Sequence, residues 1–152
     1  LLGLTNNILR LTSPIRTSRE ALDFIDSLFY HKKFFNNPKY KVIFASECYL
    51  ASKINVYVKK GYTYISYEDN EKISDYSYKL YTKRAYPYEF QKIVMCIDDK
   101  FYLDEKKHLK SIQNDDGIYY TRLLYQGLTR AREEIIVIIT NKKILEKLID
   151  IL

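Results

Sequence analysis

Arg130 stands where a helix-like run, Leu123-Leu124-Tyr125-Gln126-Gly127-Leu128, closes on Thr129-Arg130-Ala131-Arg132 and passes into apolar residues 135–139. A guanidinium stays protonated and presents a planar fork of donors that matches phosphate oxygens. Held on a rigid helix just before a core strand, Arg130 is a candidate phosphate clamp. The same pattern also describes solvated helix cations, with Arg130 and Arg132 paired to Glu133 or Glu134. Two further segments place comparable chemistry at comparable positions. Leu11-Thr12-Ser13-Pro14-Ile15-Arg16 precedes a helix start, and Tyr88-Glu89-Phe90 precedes an apolar strand. Residues at loop and strand junctions of an open α/β sheet collect along one edge, where ligands bind, so Arg16, Arg130 and Glu89 can converge.

The elements that must position these residues follow from periodicity. Thr17-Ser18-Arg19-Glu20 reads as a capping box with Thr17 at the N-cap, and Ala21, Leu22, Ile25, Leu28 and Phe29 then recur at helical spacing. A short strand is expected at 8–11 and a buried one at 40–45. Leu50, Ile54 and Val58 predict a helix that ends on Lys59-Lys60-Gly61, and residues 62–67 predict a strand followed by the polar turn 68–71. The Tyr- and Lys-rich stretch 74–90 is a functional-loop candidate, although Tyr76, Tyr78 and Leu80 also alternate as a half-buried strand would. Residues 93–97 form an apolar strand. The charged stretch 98–114 reads as a surface insertion with a short element at Phe101-Tyr102-Leu103. A helix at 118–132, a strand at 135–140 and a last helix at 142–152, with Leu145, Leu148, Ile149 and Leu152 inward, complete the pattern. Strands alternating with helices predict an α/β layered fold, a largely parallel sheet flanked by helices, with 1–152 as a single domain.

Composition bounds the partners. A length of 152 residues with 47% hydrophobic and 29% charged residues suits a globular core rather than a disordered chain. Lys and Arg exceed Asp and Glu by 25 to 19, so a net charge of +6 favours an anionic partner such as a nucleotide or nucleic acid. Cys48 and Cys96 are distant and outside any Cys/His cluster, which predicts reduced core thiols and neither disulfide nor zinc. His31 and His108 lack a carboxylate or Cys at useful spacing and receive no role. No apolar run approaches the roughly 20 residues of a membrane helix, and no signal core opens the chain, so a cytoplasmic location is the economical expectation. A start at Leu1-Leu2-Gly3 rather than Met suggests a piece of something longer.

Taken in order, Leu11-Thr12-Ser13-Pro14-Ile15-Arg16, Tyr88-Glu89-Phe90 and Leu128-Thr129-Arg130-Ala131-Arg132 resemble motifs IV, V and VI of superfamily 1 helicases. They are more closely similar to a bacterial family of helicase-like P-loop ATPases in which Leu-Thr-Ser-x-x-Arg opens the second motor domain. The resemblance covers nearly the whole chain and implies the C-terminal, second RecA-like domain of a two-domain motor, with ATP between the domains. It implies that Arg16 and Arg130 act as arginine fingers on the γ-phosphate and that Glu89 accepts a hydrogen bond from the ribose. Thr82 and Lys83 would meet the backbone of nucleic acid, single-stranded DNA being the expected strand. The sequence departs from the pattern at Tyr86-Pro87, where proline removes a backbone donor, and at Ile15, where an adenine-stacking aromatic is usual. No Gly-x-x-x-x-Gly-Lys-Ser/Thr occurs among the 4 glycines, and the resemblance implies that the phosphate-cradling loop and most of the Mg²⁺ ligands lie on an N-terminal P-loop domain of the same polypeptide. The chain alone is then not expected to hydrolyse ATP.

Two rival readings use other residues. Asp98 or Asp99 with Glu105-Lys106-Lys107 resembles the acidic residue plus Glu-x-Lys of Mg²⁺-dependent nucleases, which need the Glu-x-Lys on a strand. The stretch 76–88, rich in Tyr and Lys, alternatively suits a non-enzymatic nucleic-acid or protein interaction module.

Overall fold

The computed structural model describes residues 17–34, 36–68, 79–81 and 88–151. The expected strand at 8–11, the turn at 69–71 and the alternating Tyr76 and Tyr78 lie outside these residues. Helix α1, Arg19–Tyr30, starts from Ser18, whose hydroxyl accepts the Ala21 N–H at 3.0 Å. The N-cap is therefore one residue later than the capping box predicts. Thr17 spends its hydroxyl elsewhere, donating to the Thr129 carbonyl 112 residues away, and the Glu20 carboxylate accepts from Asn37 rather than from the cap. The helix ends where His31 takes the left-handed conformation, φ 54°.

After α1 come β1 (Tyr40–Phe44), α2 (Glu47–Lys59), β2 (Thr63–Ser66), β3 (Lys79–Tyr81) and β4 (Phe90–Ile97). A hairpin of β5 (Phe101–Leu103) and β6 (Leu109–Ser111) follows, then α3 (Tyr120–Leu128), β7 (Ala131–Ile139) and α4 (Lys142–Leu148). Five strands form one sheet in the order β1-β7-β4-β2-β3, each pair parallel. Parallel strands covered on both faces read as continuous apolar runs, as β4 and β7 do.

Side-chain alternation sorts the core into two layers. Ile93, Met95 and Ile97 with Ile135, Val137 and Ile139 face α1, α3 and α4, while Val94, Cys96, Ile136 and Ile138 face α2. Full burial of each such side chain contributes about 1.5–3 kcal/mol, so the central pair β4–β7 anchors the fold. The molecule is an α/β layered fold with a parallel sheet flanked by helices, as the alternation of elements predicts. The surface insertion is more ordered than its charge suggests: β5 and β6 pair antiparallel, and Phe101 and Leu109 enter the core at 2% and 4% exposure. The last helix is shorter than 142–152 and turned differently, with Ile144, Leu148 and Ile151 buried and Ile149 71% exposed. Cys96 is a core thiol as expected, whereas Cys48 is exposed on α2.

Candidate functional site

The junction carrying Arg130 is a turn. Helix α3 closes at Leu128, the Arg130 N–H reaches the Gly127 carbonyl at 3.0 Å, and β7 begins at Ala131. Arg130 is thus in the turn between helix and strand and Arg132 is an exposed strand residue, where sequence periodicity placed both on a helix through 132. The reason is pairing: Ala131 registers with Phe90, and the Phe90 N–H bonds the Arg130 carbonyl at 2.9 Å, so sheet formation overrides the helix propensity of Arg-Ala-Arg-Glu-Glu.

Two other bonds hold the turn. The buried Thr17 hydroxyl donates to the Thr129 carbonyl at 2.9 Å, and the Arg130 Nε–H donates to the Gln126 carbonyl at 3.3 Å. The latter orients the guanidinium and sets a cation against the negative end of α3. Glu89, next to Phe90, faces Arg132, whose Nε lies 4.0 Å from its carboxylate with the Arg132 side chain 64% exposed. An exposed pair of this kind contributes little. Glu134, the acid expected beside the arginines, instead accepts from Tyr62 at 2.8 Å and pairs with Lys92 at 3.3 Å.

The structure therefore brings the residue after Arg16, the residue after Glu89 and the Thr129-Arg130 turn into direct contact. Arg16 itself, Thr82, Lys83, Ile15 and Tyr86-Pro87 lie outside the described residues. The shared edge is the one at which β4 and β7 begin. Ligands of open α/β sheets ordinarily sit outside the carboxyl ends of strands, so the edge at which Thr17 and Phe90 meet the Arg130 turn is not the one that the ordinary rule favours.

At the carboxyl edge a different feature stands. β1 runs into α2 on one face and its neighbour β7 runs into α4 on the other, so the chain leaves these two strands in opposite directions. An open crevice of about 410 Å³ lies there, lined by Glu47, Asp99, Thr140, Asn141, Lys142 and Lys143. No sequence signal located it, because the adjacency of β1 and β7 is a fact of sheet order.

The nuclease arrangement does not assemble. The Asp98 carboxylate is held by Lys100, Nζ at 2.7 Å, and Glu105 is exposed in the β5–β6 turn rather than on a strand. Among the described residues no group of three His, Cys, Asp or Glu side chains could hold a metal ion. His31 does have a carboxylate partner, Asp150, 3.2 Å from Nε2, which its distance in sequence concealed. Two tyrosines are markedly perturbed. Burial, then the neighbouring carboxylate, raises Tyr62 beside Glu134 and Tyr120 beside Glu68 above the usual phenol range.

No helix among the described residues is long and apolar enough to cross a membrane. Compared with models of known protein families and with curated proteins, the chain matches none.

Proposed function

We propose that the chain is the C-terminal, second RecA-like domain of a superfamily 1-like helicase or helicase-related ATPase that acts in the cytoplasm with an N-terminal P-loop domain. One observation carries the reading: Thr17–Thr129 and Phe90–Arg130 contacts join the three motif-bearing segments at a single edge. Packing of α1 and α3 in one core layer and the β4–β7 ladder bring these segments together, and the reading adds a shared anionic ligand at the cation they meet beside.

The described donors fit half of a nucleotide site. A guanidinium oriented by the Gln126 carbonyl and a half-buried carboxylate at Glu89 are present, and the sequence contains no glycine loop to cradle phosphates. ATP, with Mg²⁺ held mainly by the P-loop domain, supplies the phosphoryl group. Arg130 and Arg16 stabilise charge on the γ-phosphate oxygens; Glu89 accepts from the ribose; Thr82 and Lys83 meet the backbone of single-stranded nucleic acid. Preorganisation is the contribution of the turn, because a guanidinium already fixed by the fold loses little freedom when phosphate arrives.

The test is nucleic-acid-stimulated ATP turnover of the intact protein. Arg130→Ala should lower it by about three to five orders of magnitude, the range of a lost arginine finger. Unchanged turnover overturns the assignment.

A further inference from the structure

We propose that the flank of the molecule formed by α1, α3 and the β5–β6 hairpin is a docking groove for single-stranded nucleic acid. This inference goes beyond the motor reading and is independent of it. The groove has a volume of about 570 Å³ and is lined by residues that include Tyr30, His108, Lys110, Tyr119, Arg122 and Tyr125.

Three aromatic rings are presented to solvent where a core would have hidden them. Tyr30 and Tyr119 are each 52% exposed and Tyr125 is 43% exposed. They are also held in place. Tyr125 packs edge-on against Phe29 with ring centroids 5.8 Å apart, Tyr30 packs edge-on against His108 at 5.6 Å, and Tyr119 bridges to Gln113 as an isolated β pair. One face of Tyr30 has the Lys32 ammonium over it, 5.8 Å from the ring centroid, and the exposed area of Tyr119 and Tyr125 offers ring surface on which nucleobases of any sequence stack.

The charge of the groove selects among partners. Lys110 and Arg122 are exposed cations on β6 and α3, and none of the described residues that line the groove is acidic. Asp115 and Asp116, in the turn before Tyr119, are not among them. Tyr102, 51% exposed, pairs in register with Lys110 on the hairpin and extends the same surface. Neutral apolar peptide would leave two cations uncompensated, and a duplex would offer phosphates but no exposed base faces. A single strand satisfies both sets of groups, with bases on the tyrosines and phosphates on Lys110 and Arg122. The hairpin is what makes the groove: Leu109 is buried beneath it while Lys110 points outward.

The experiment measures binding of a fluorescently labelled oligothymidylate to the chain by anisotropy, across a salt series, with a duplex of equal length and a poly-glutamate peptide as competitors. Tyr119→Ala should weaken oligonucleotide binding roughly five- to hundredfold, while Tyr30→Phe, which keeps its ring face, should bind as the parent does. Lys110→Gln and Arg122→Gln should each reduce the slope of log K against log salt by about 0.7. All four substitutions are at exposed positions, and circular dichroism establishes that each variant is folded. Arg130→Ala should leave this binding unchanged, so loss of the motor reading and loss of the groove are separable. The proposal is overturned if the parent chain does not bind the oligonucleotide. It is equally overturned if Tyr119→Ala binds as the parent does, or if the duplex or the acidic peptide is preferred.

Discussion

At the edge where β4 and β7 begin, Thr17, Phe90 and Arg130 are joined through backbone carbonyls at 2.9 Å, whereas at the opposite edge the loops after β1, β4 and β7 stand apart around an open crevice. Both edges carry cations. The difference lies in what holds them. Arg130 is oriented by the last turn of α3, while Lys142 and Lys143 are exposed at the start of the short helix α4. A preorganised cation can stabilise charge developing in a reaction, because its orientation is set before the ligand arrives; a solvated lysine must lose rotamer freedom first. The amino edge thus carries a cation oriented by the fold and the carboxyl edge carries exposed ones, although ligands of α/β sheets ordinarily sit at the carboxyl ends.

The sharpest way to break that comparison is to remove one cation from each edge in the intact protein. Arg130→Ala is expected to reduce nucleic-acid-stimulated ATP turnover by about three to five orders of magnitude, and Lys142→Ala to leave it unchanged. The reverse result would move the ligand to the β1–β7 crevice. It would also show that sheet topology outranks preorganisation here.

A second perturbation acts on the seating of the junction. A Cβ built on Gly127 would lie 2.4 Å from Sδ and 2.6 Å from Cε of Met95, which is fully buried. Gly127→Ala gains about 1 kcal/mol of helix propensity. Overpacking in a tight core typically costs about 1–3 kcal/mol, and with Met95 enclosed on all sides the loss should prevail. A net destabilisation of about 1 kcal/mol is expected in urea unfolding, with relief when Met95→Val is added. A neutral Gly127→Ala would mean that α3 can shift on β4, and that the Arg130 turn is less fixed than its bonds imply.

How much of this was legible in the sequence depends on the range of the interaction that decides each feature. The continuous apolar run 93–97 and the helical stripe of Ala21, Ile25 and Leu28 are local patterns, and they yielded the layered α/β fold. Ranges set by distant partners were displaced. Helix α3 stops before Thr129 because β7 pairs with β4 from Ala131 onward, and Thr17 is not the N-cap because Thr129 claims its hydroxyl. The hairpin partner β6 escaped notice because its three residues, Leu109-Lys110-Ser111, are too few to show a period. For the site, sequence order alone suggested that the segments of Arg16, Glu89 and Arg130 share an edge. Which edge, and the existence of the crevice, required strand order.

Smaller effects test the clamp itself. Thr17→Val removes the hydroxyl that reaches the Thr129 carbonyl and should cost about 1 kcal/mol, the net worth of one part-buried hydrogen bond. Ser46→Ala, at the N-cap of α2 on the carboxyl edge, should cost only a few tenths, because Ser46 makes no side-chain cap bond. Thermal or urea midpoints of the two variants, measured together, read the difference between the edges. Equal costs would remove the reason for calling one edge tied and the other open.

The smallest contrast is in alkaline stability. Tyr62, just before β2 at the amino edge, donates to Glu134; Tyr120, at the start of α3, donates to Glu68 beyond the carboxyl end of β2. Burial and then the adjacent carboxylate raise both phenols above their ordinary value near 10. The folded state thus holds each proton more tightly than the unfolded chain does. The stabilisation is fully present below about pH 10 and is lost as pH rises beyond it through the folded-state values. Tyr62→Phe and Tyr120→Phe should each flatten part of the stability loss above pH 10 in urea midpoints, with little change in slope between pH 6 and 9. If only Tyr120→Phe does so, the amino edge exchanges its phenol proton without disturbing the sheet, and its rigidity resides in the Thr17 and Phe90 bonds alone. If both do so equally, proton retention is common to the two edges, and backbone tethering is what distinguishes them.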